Sequence, residues 1–316
     1  MIKTTIGVLL AATAVCSTPA QATLRAYYSM SATAGNDVKT ASQEQDTNYG
    51  MTNSVSDAYD VVHDKGVNRY RALATVSVRS DYGSLSFVQT AGSTANFSKL
   101  YSPTPMFYPV SSVYTEAQFD DVVRVVAPGY SGDVSMTFRF KADGNINTLS
   151  PSLTNVSSGA MWDYQIAFNV ARPNLFYAGQ EMPSCPGAVS CPMNDWFYNP
   201  YGDARYLGDG YYEMKVQLPA NQNTDFFVRG RAYSNGAYDT KTFVNSQFAW
   251  GGIVGWSTLD GTPLTSFSLA SGSGTDYTQD FSISTPVDEP PVAALMLCGL
   301  LLGALKVRRE LARRES

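Results

Sequence analysis

The sequence predicts an all-β fold, a two-sheet antiparallel β-sandwich of jelly-roll type, with an N-terminal signal peptide and a separate C-terminal transmembrane helix. Three observations lead there. Between Val67 and Ile283, apolar residues recur at every second position in run after run, the period of a half-buried strand. No apolar stripe with a 3.6-residue period appears between Thr23 and Pro286, so helices have no face to bury. The continuous apolar runs lie towards the two ends of the chain, one before Ala22 and one after Pro291.

Residues 1–22 have the three parts of a secretory signal: Lys3 in a cationic start, the apolar core Ile6 to Val15, and Ala20-Gln21-Ala22 as a small-residue cleavage site. Thr23 is then the first mature residue, and Cys16 leaves with the signal. The body that follows, residues 23–286, holds 16 basic and 23 acidic residues. A net negative charge repels phosphate backbones and anionic lipid, which excludes nucleic acid as a partner. This length supports one large β domain with a core that needs no staples.

Residues Thr23 to Gly66 read as edge strand and loop. From Val67 the alternation is plain, with Tyr70, Ala72, Ala74, Val76 and Val78 on one face against Arg69, Arg71, Thr75, Ser77 and Arg79. Ser84 to Thr90 follows the Asp81-Tyr82-Gly83 turn, and the prolines of Ser102–Pro109 mark a crossing loop. Val113–Val126 and Val134–Lys141 form the clearest strand pair, connected through Pro128–Gly132, with a further turn at Ala142–Asn145. Alternation returns at Trp162–Val170 and Tyr212–Leu218. Phe226–Tyr233 runs to an Asn235-Gly236 hairpin signal, and Phe248–Trp256, Leu264–Leu269 and Tyr277–Ile283 complete the strands.

Chemistry-bearing residues are sparse. The single histidine, His63, rules out a local Cys/His zinc set and leaves nucleophiles without an obvious base. Asp143–Asn147 alternates oxygen donors as a calcium loop does, but Thr148 and Thr154 stand where that loop needs glycine and glutamate. No catalytic residue, metal or cofactor is expected. Cys185 and Cys191, six positions apart in an exported chain, are expected to close a disulfide loop. Trp196 and Tyr198, with Phe197 between them and Tyr201, Tyr206, Tyr211 and Tyr212 beyond, are a surplus of rings. Trp196, Tyr198 and Tyr201 are candidates for stacking on a sugar; the same residue types also fill sandwich cores.

The C-terminal stretch has three parts: the motif region 287–291, the transmembrane helix over 292–307 and a basic cytoplasmic tail over 308–316. The apolar core of the helix, Val292 to Leu305, would rise only about 21 Å against a hydrocarbon thickness of about 30 Å. Lys306, Arg308, Arg309, Arg313 and Arg314 form a basic stop that stays cytoplasmic. Val287-Asp288-Glu289-Pro290, followed by that apolar run and arginine-rich end, resembles the PEP-CTERM sorting signal of Gram-negative bacteria that make exopolysaccharide. The family pattern is Val-Pro-Glu-Pro, so Asp288 departs from it. The stretches Phe119–Gly144 and Ser271–Tyr277 resemble strands of secreted domains that carry such tails. The resemblance implies export by the Sec machinery, handling by an exosortase-type membrane protease, and a non-enzymatic role at the cell surface or outside the cell. That role would be as a matrix, exopolysaccharide or biofilm component, with exopolysaccharide as a partner. The rings at Trp196, Tyr198 and Tyr201 give a carbohydrate-binding surface module as the alternative, and paired carboxylates give a glycoside-active enzyme as a more distant one.

Overall fold

The computed structural model describes residues 22–34, 36–48, 52–65, 68–96, 109–149, 159–168, 176–182, 194–198, 204–237 and 240–281. Every regular element among them is a strand. In chain order these are β1 (Thr23–Ala34), β2 (Asp37–Asn48), β3 (Asn53–Lys65), β4 (Asn68–Asp81), β5 (Ser84–Asn96), β6 (Val110–Val126), β7 (Asp133–Leu149), β8 (Ala160–Phe168), β9 (Phe176–Met182), β10 (Asn194–Tyr198), β11 (Ala204–Gly208), β12 (Tyr211–Pro219), β13 (Asn223–Ala237), β14 (Lys241–Thr258) and β15 (Ser268–Ser271).

They form two antiparallel sheets. One runs β10-β9-β8-β13-β6-β1-β2, and the other β11-β12-β7-β14-β5-β4-β3. β1 pairs with β6 as far as Asp120, and β15 takes up the same edge of β6 from Val123 to Val126. The sheets pack face to face, with β1 over β3 and β4, β6 over β4 and β5, β13 over β5 and β14, and β9 over β7.

One continuous apolar cluster lies between them. It forms because inward positions alternate strictly: Leu24, Ala26, Tyr28, Met30, Ala32 and Ala34 on β1, and Phe138 and Phe140 on β7, are all buried. Ring pairs fill its middle. Phe138 stacks on Trp250 at 4.5 Å and Phe168 on Phe226 at 5.0 Å, while Phe140 meets Phe176 edge-on at 4.7 Å. Each fully buried side chain of this size contributes about 1.5–3 kcal/mol through lost water contact.

Polar bonds from sheet to sheet set their relative placement. Tyr28 donates to Asp57 at 2.8 Å, Ser80 to the Gln118 carbonyl at 3.1 Å, Ser111 to the Gly92 carbonyl at 3.0 Å and Tyr164 to Ser246 at 3.2 Å. Gln89 lies fully buried between Thr115 and Ser234 of the facing sheet. Asn221, at φ 60° between β12 and β13, binds the neighbouring β6–β7 crossing: it accepts from the Ala127 amide and donates to the Tyr130 carbonyl at 2.7 Å.

The structure corrects the expected order at several places. Thr23–Ala34 is a regular strand between β6 and β2 rather than edge or loop; half its inward positions are alanine, which hides the alternation. β6 and β7 are not a pair: they lie in opposite sheets, and residues 127–132 cross between them. Ala142–Asn145 is no turn, because β7 continues to Leu149 along β14. Asn235-Gly236 is likewise inside β13, where a Cβ on Gly236 would lie 2.7 Å from the Ala91 carbonyl oxygen. Leu264–Leu269 is strand only from Ser268, and residues 277–281 make a single bridge, Gly251 to Asp280, instead of a strand. Residues 1–21, the Pro-rich segment 101–108 and the tail from 282 onward lie outside the described residues. No helix among the described residues is long and apolar enough to cross a membrane.

Candidate functional site

The two edges of the sandwich differ. At one, β2 and β3 are long and polar, and Asn53 donates from β3 to the carbonyls of Leu24 and Gln45 across the gap. At the other, β10 and β11 are five residues each, and a cleft of about 370 Å³ opens where the sheets part. Its lining comes from β7, β8, β9, β10, β11 and β12, together with the turn residue Gly210.

Register decides which side chains face it. Phe197 pairs with the buried Ala178 and Asp195 with Gln180, so both point between the sheets. Tyr206 pairs with Tyr212 on the opposite wall. Phe197 lies 5.7 Å from Tyr212, and Tyr206 lies 5.1 Å from it. Tyr212 in turn rests on Phe140 and Phe176 at 5.4 and 5.0 Å. The wall is therefore an outward continuation of the core, with Phe197 44% and Tyr206 57% exposed. The β11–β12 turn that sets Tyr206 has φ 52° at Asp209 and 78° at Gly210, the positive pair that a tight hairpin requires.

The floor is Trp162. Its indole lies against the bare backbone of Gly144, where a Cβ would stand 2.5 Å from Cε2. Trp162 is 5% exposed, and its Nε1–H has no partner among the described residues. Gln180 donates to Asp195 at 2.8 Å through Nε2, while its buried Oε1 is also without a partner. Burial pushes the Tyr212 hydroxyl up to about 12, with Tyr206, Asp195 and Asp143 adding to the effect. Two unused hydrogen-bonding atoms in an aromatic recess are what a polar ligand with apolar faces needs.

Trp196 and Tyr198 alternate with Phe197, so they stand on the outer face of the same sheet edge. A Cβ on Gly179 would lie 2.8 Å from Trp196 Cζ2, so the ring depends on that glycine, and Trp196 also borders the cleft. Tyr198, 56% exposed, lies 6.2 Å from Tyr177. Inward along this face Arg231 holds the buried Asp163 through two bonds of 3.0 and 2.9 Å; burial still raises the carboxyl above its ordinary value.

Of the residues singled out from sequence, Trp196 and Tyr198 share one face. Tyr201, Cys185, Cys191, the motif Val287, Asp288, Glu289 and Pro290, and the basic residues Lys306, Arg308, Arg309, Arg313 and Arg314 lie outside the described residues. Sequence reasoning missed Trp162 and Gln180. Trp162 sits in a strand whose alternation reads as core, and only its unmatched indole N–H sets it apart. No group of three or more His, Cys, Asp or Glu able to hold a metal occurs among the described residues. No protein family, curated protein or solved structure matches this chain.

Proposed function

We propose that this chain is an exported, non-catalytic β-sandwich that works at the cell surface or outside the cell as a component of a polysaccharide matrix, holding glycan at the β9–β12 end. One observation carries the glycan reading: rings that would ordinarily be buried stand exposed on both faces of β10, beside unused hydrogen-bonding atoms. Rings present apolar faces with polar edges, the match for a pyranose whose C–H face is apolar and whose rim is hydroxyl.

Export and sorting rest on the terminal segments. The signal at 1–22 directs the chain to the Sec machinery. The PEP-CTERM-like motif Val287–Pro290, the transmembrane helix over 292–307 and the basic stop hold it in the inner membrane until an exosortase-type protease acts. The jelly-roll order fits the way the chain passes from sheet to sheet at β2–β3, β5–β6, β6–β7, β7–β8, β10–β11, β12–β13, β13–β14 and β14–β15.

Two measurements test this. Mass spectrometry of the native product is expected to find the chain ending near Glu289-Pro290; an intact Ser316 refutes processing. Pull-down with the producing cell's own polysaccharide is expected to retain the protein, with loss of at least about ten-fold in the Trp196→Ala/Tyr198→Ala variant, about 1.4 kcal/mol of binding. Retention unchanged by that double substitution refutes the outer rings as the contact.

A further inference from the structure

We propose that the recess between the sheet edges is a second glycan subsite, adjoining the outer face at Trp196, which takes the terminal residue of a neutral or amino sugar and rejects uronic acids and sulfated sugars. This rests on the glycan reading above and deepens it: Tyr198 and the outer side of Trp196 can hold a polysaccharide along its length, while Trp196 also borders the recess.

Depth argues for a chain end. The recess is lined by Trp162, which is 5% exposed, and by Tyr212, which is backed by Phe140 and Phe176. A polymer cannot pass through a site closed by the core. The volume of about 370 Å³ lies at the small end of ligand pockets, enough for a terminal ring and too little for a long segment.

Polar placement argues for a hydroxyl-bearing ligand. Trp162 Nε1–H is a donor and Gln180 Oε1 an acceptor, both buried and both without partners among the described residues. A buried polar atom left unmatched is costly, and Trp162 and Gln180 both belong to the recess lining, so a ligand that reaches into it can relieve that cost. A sugar hydroxyl can accept from the Trp162 indole N–H or donate to Gln180 Oε1.

Charge argues for the class. Asp195 faces the recess with an amide as its partner, and Asp143 at the rim is paired with Lys141 at 3.3 Å. No cationic side chain is among the described lining residues. A carboxylate or sulfate on the ligand would meet Asp195 with no compensating cation, while a neutral or ammonium-bearing sugar would not.

The test is titration of the full chain, kept in a detergent without a sugar headgroup, followed by calorimetry or saturation-transfer NMR. The probes are the methyl glycosides of glucose, galactose and mannose with their 2-amino and 6-carboxyl counterparts. At least one neutral or amino glycoside is expected to bind in the millimolar range, with its 6-carboxyl counterpart at least about ten-fold weaker at low salt and the gap narrowing as salt is added. Tyr206→Ala, at an exposed position whose loss leaves the core intact, is expected to weaken binding at least about five-fold, and Trp162→Phe to do so by removing the N–H while an aromatic ring, though a smaller one, stays in place. Equal or tighter binding of the 6-carboxyl sugars overturns the charge argument. Binding indifferent to both substitutions overturns the location. If no glycoside binds while the polysaccharide is still retained through Trp196 and Tyr198, the recess fails and the outer-face reading stands; if neither binds, both fall.

Discussion

Replacing Asp121 by alanine is expected to release the last segment of the sandwich. This carboxylate is 2% exposed and accepts four hydrogen bonds: from its neighbour Val122 at 2.7 Å, from the Ser273 amide at 3.0 Å, from the Ser273 hydroxyl, and from Tyr277 at 2.8 Å. Tyr277 is itself 1% exposed and takes the Trp250 indole N–H on its carbonyl at 2.8 Å. Four residues beyond it, Phe281 donates its amide to the Trp250 carbonyl at 2.6 Å. Alanine at 121 leaves the Tyr277 hydroxyl as a buried donor without an acceptor, worth about 1–3 kcal/mol, leaves the part-buried Ser273 amide unmatched, and removes charge-assisted bonds besides. The expected loss is about 3–5 kcal/mol, a fall in Tm of about 9–15 °C for a domain of this size. Tyr277→Phe removes one donor and keeps the ring, for about 1–2 kcal/mol. The double variant is expected to cost less than the sum, since both substitutions break the same bond. Calorimetric melting with tryptophan emission as a second probe reads this out, because freeing the segment uncovers Trp250. A Tm within about 2 °C of wild type for Asp121→Ala, or strict additivity in the double variant, refutes the idea that this carboxylate ties the segment down.

A Cβ on Gly230 would stand 2.4 Å from Tyr164 Cε1 and 2.6 Å from Phe87 Cε2, both rings fully buried, so Gly230→Ala is expected to destabilise by about 1–3 kcal/mol by denaturant unfolding. Gly255→Ala, whose nearest neighbour is 3.8 Å away, is the control and is expected to stay within about 0.5 kcal/mol. Burial first, and then carboxylate neighbours, raise Tyr28 and Tyr114 to about 12; burial, Tyr206 and carboxylates do the same for Tyr212. Folded protein therefore keeps protons between about pH 10 and 12 that the unfolded chain has released. Stability from these groups is complete below about pH 10 and is lost as pH rises towards 12, which melting curves across that range, set beside phenolate absorbance, will show.

The fold class was legible because alternation is a local property. β4, β8 and β12 read correctly from their own residues. What alternation does not report is which sheet a strand joins: β6 and β7 press on the same core from opposite sides, so Phe119 and Phe138 look alike in sequence. Glycine misled in a related way. Gly144 and Gly236 resemble turn residues, yet each sits inside a strand because a neighbour, the Trp162 indole or the Ala91 carbonyl, occupies the space of a Cβ. Sequence cannot separate a glycine chosen for its dihedrals from one chosen for its missing carbon. At the site the rings of β10 were visible and their division between two faces follows from period two. The partners that turn a surface of rings into a recess, Trp162 and Gln180, come from strands more than thirty and more than fourteen residues away, and only packing brings them there.

A sandwich has two lateral edges, and what each exposes can be weighed. Free edges invite pairing with another chain, which natural proteins discourage with charge, polarity or short strands. β2 follows that rule with Lys39, Glu44 and Asp46 along an exposed strand. β10 and β11 meet the length condition and break the other: Phe197, Tyr198, Tyr206 and Leu207 are each more than two-fifths exposed. Apolar area on this scale at an edge is an aggregation hazard unless something else covers it. Within the core the same residue types would each contribute about 1.5–3 kcal/mol, so leaving four of them at one edge forgoes stability that the fold had the means to collect. That the edge stays aromatic, and that a buried indole N–H waits behind it, is the reason to place ligand contact at β9–β12 and not along the polar strands opposite.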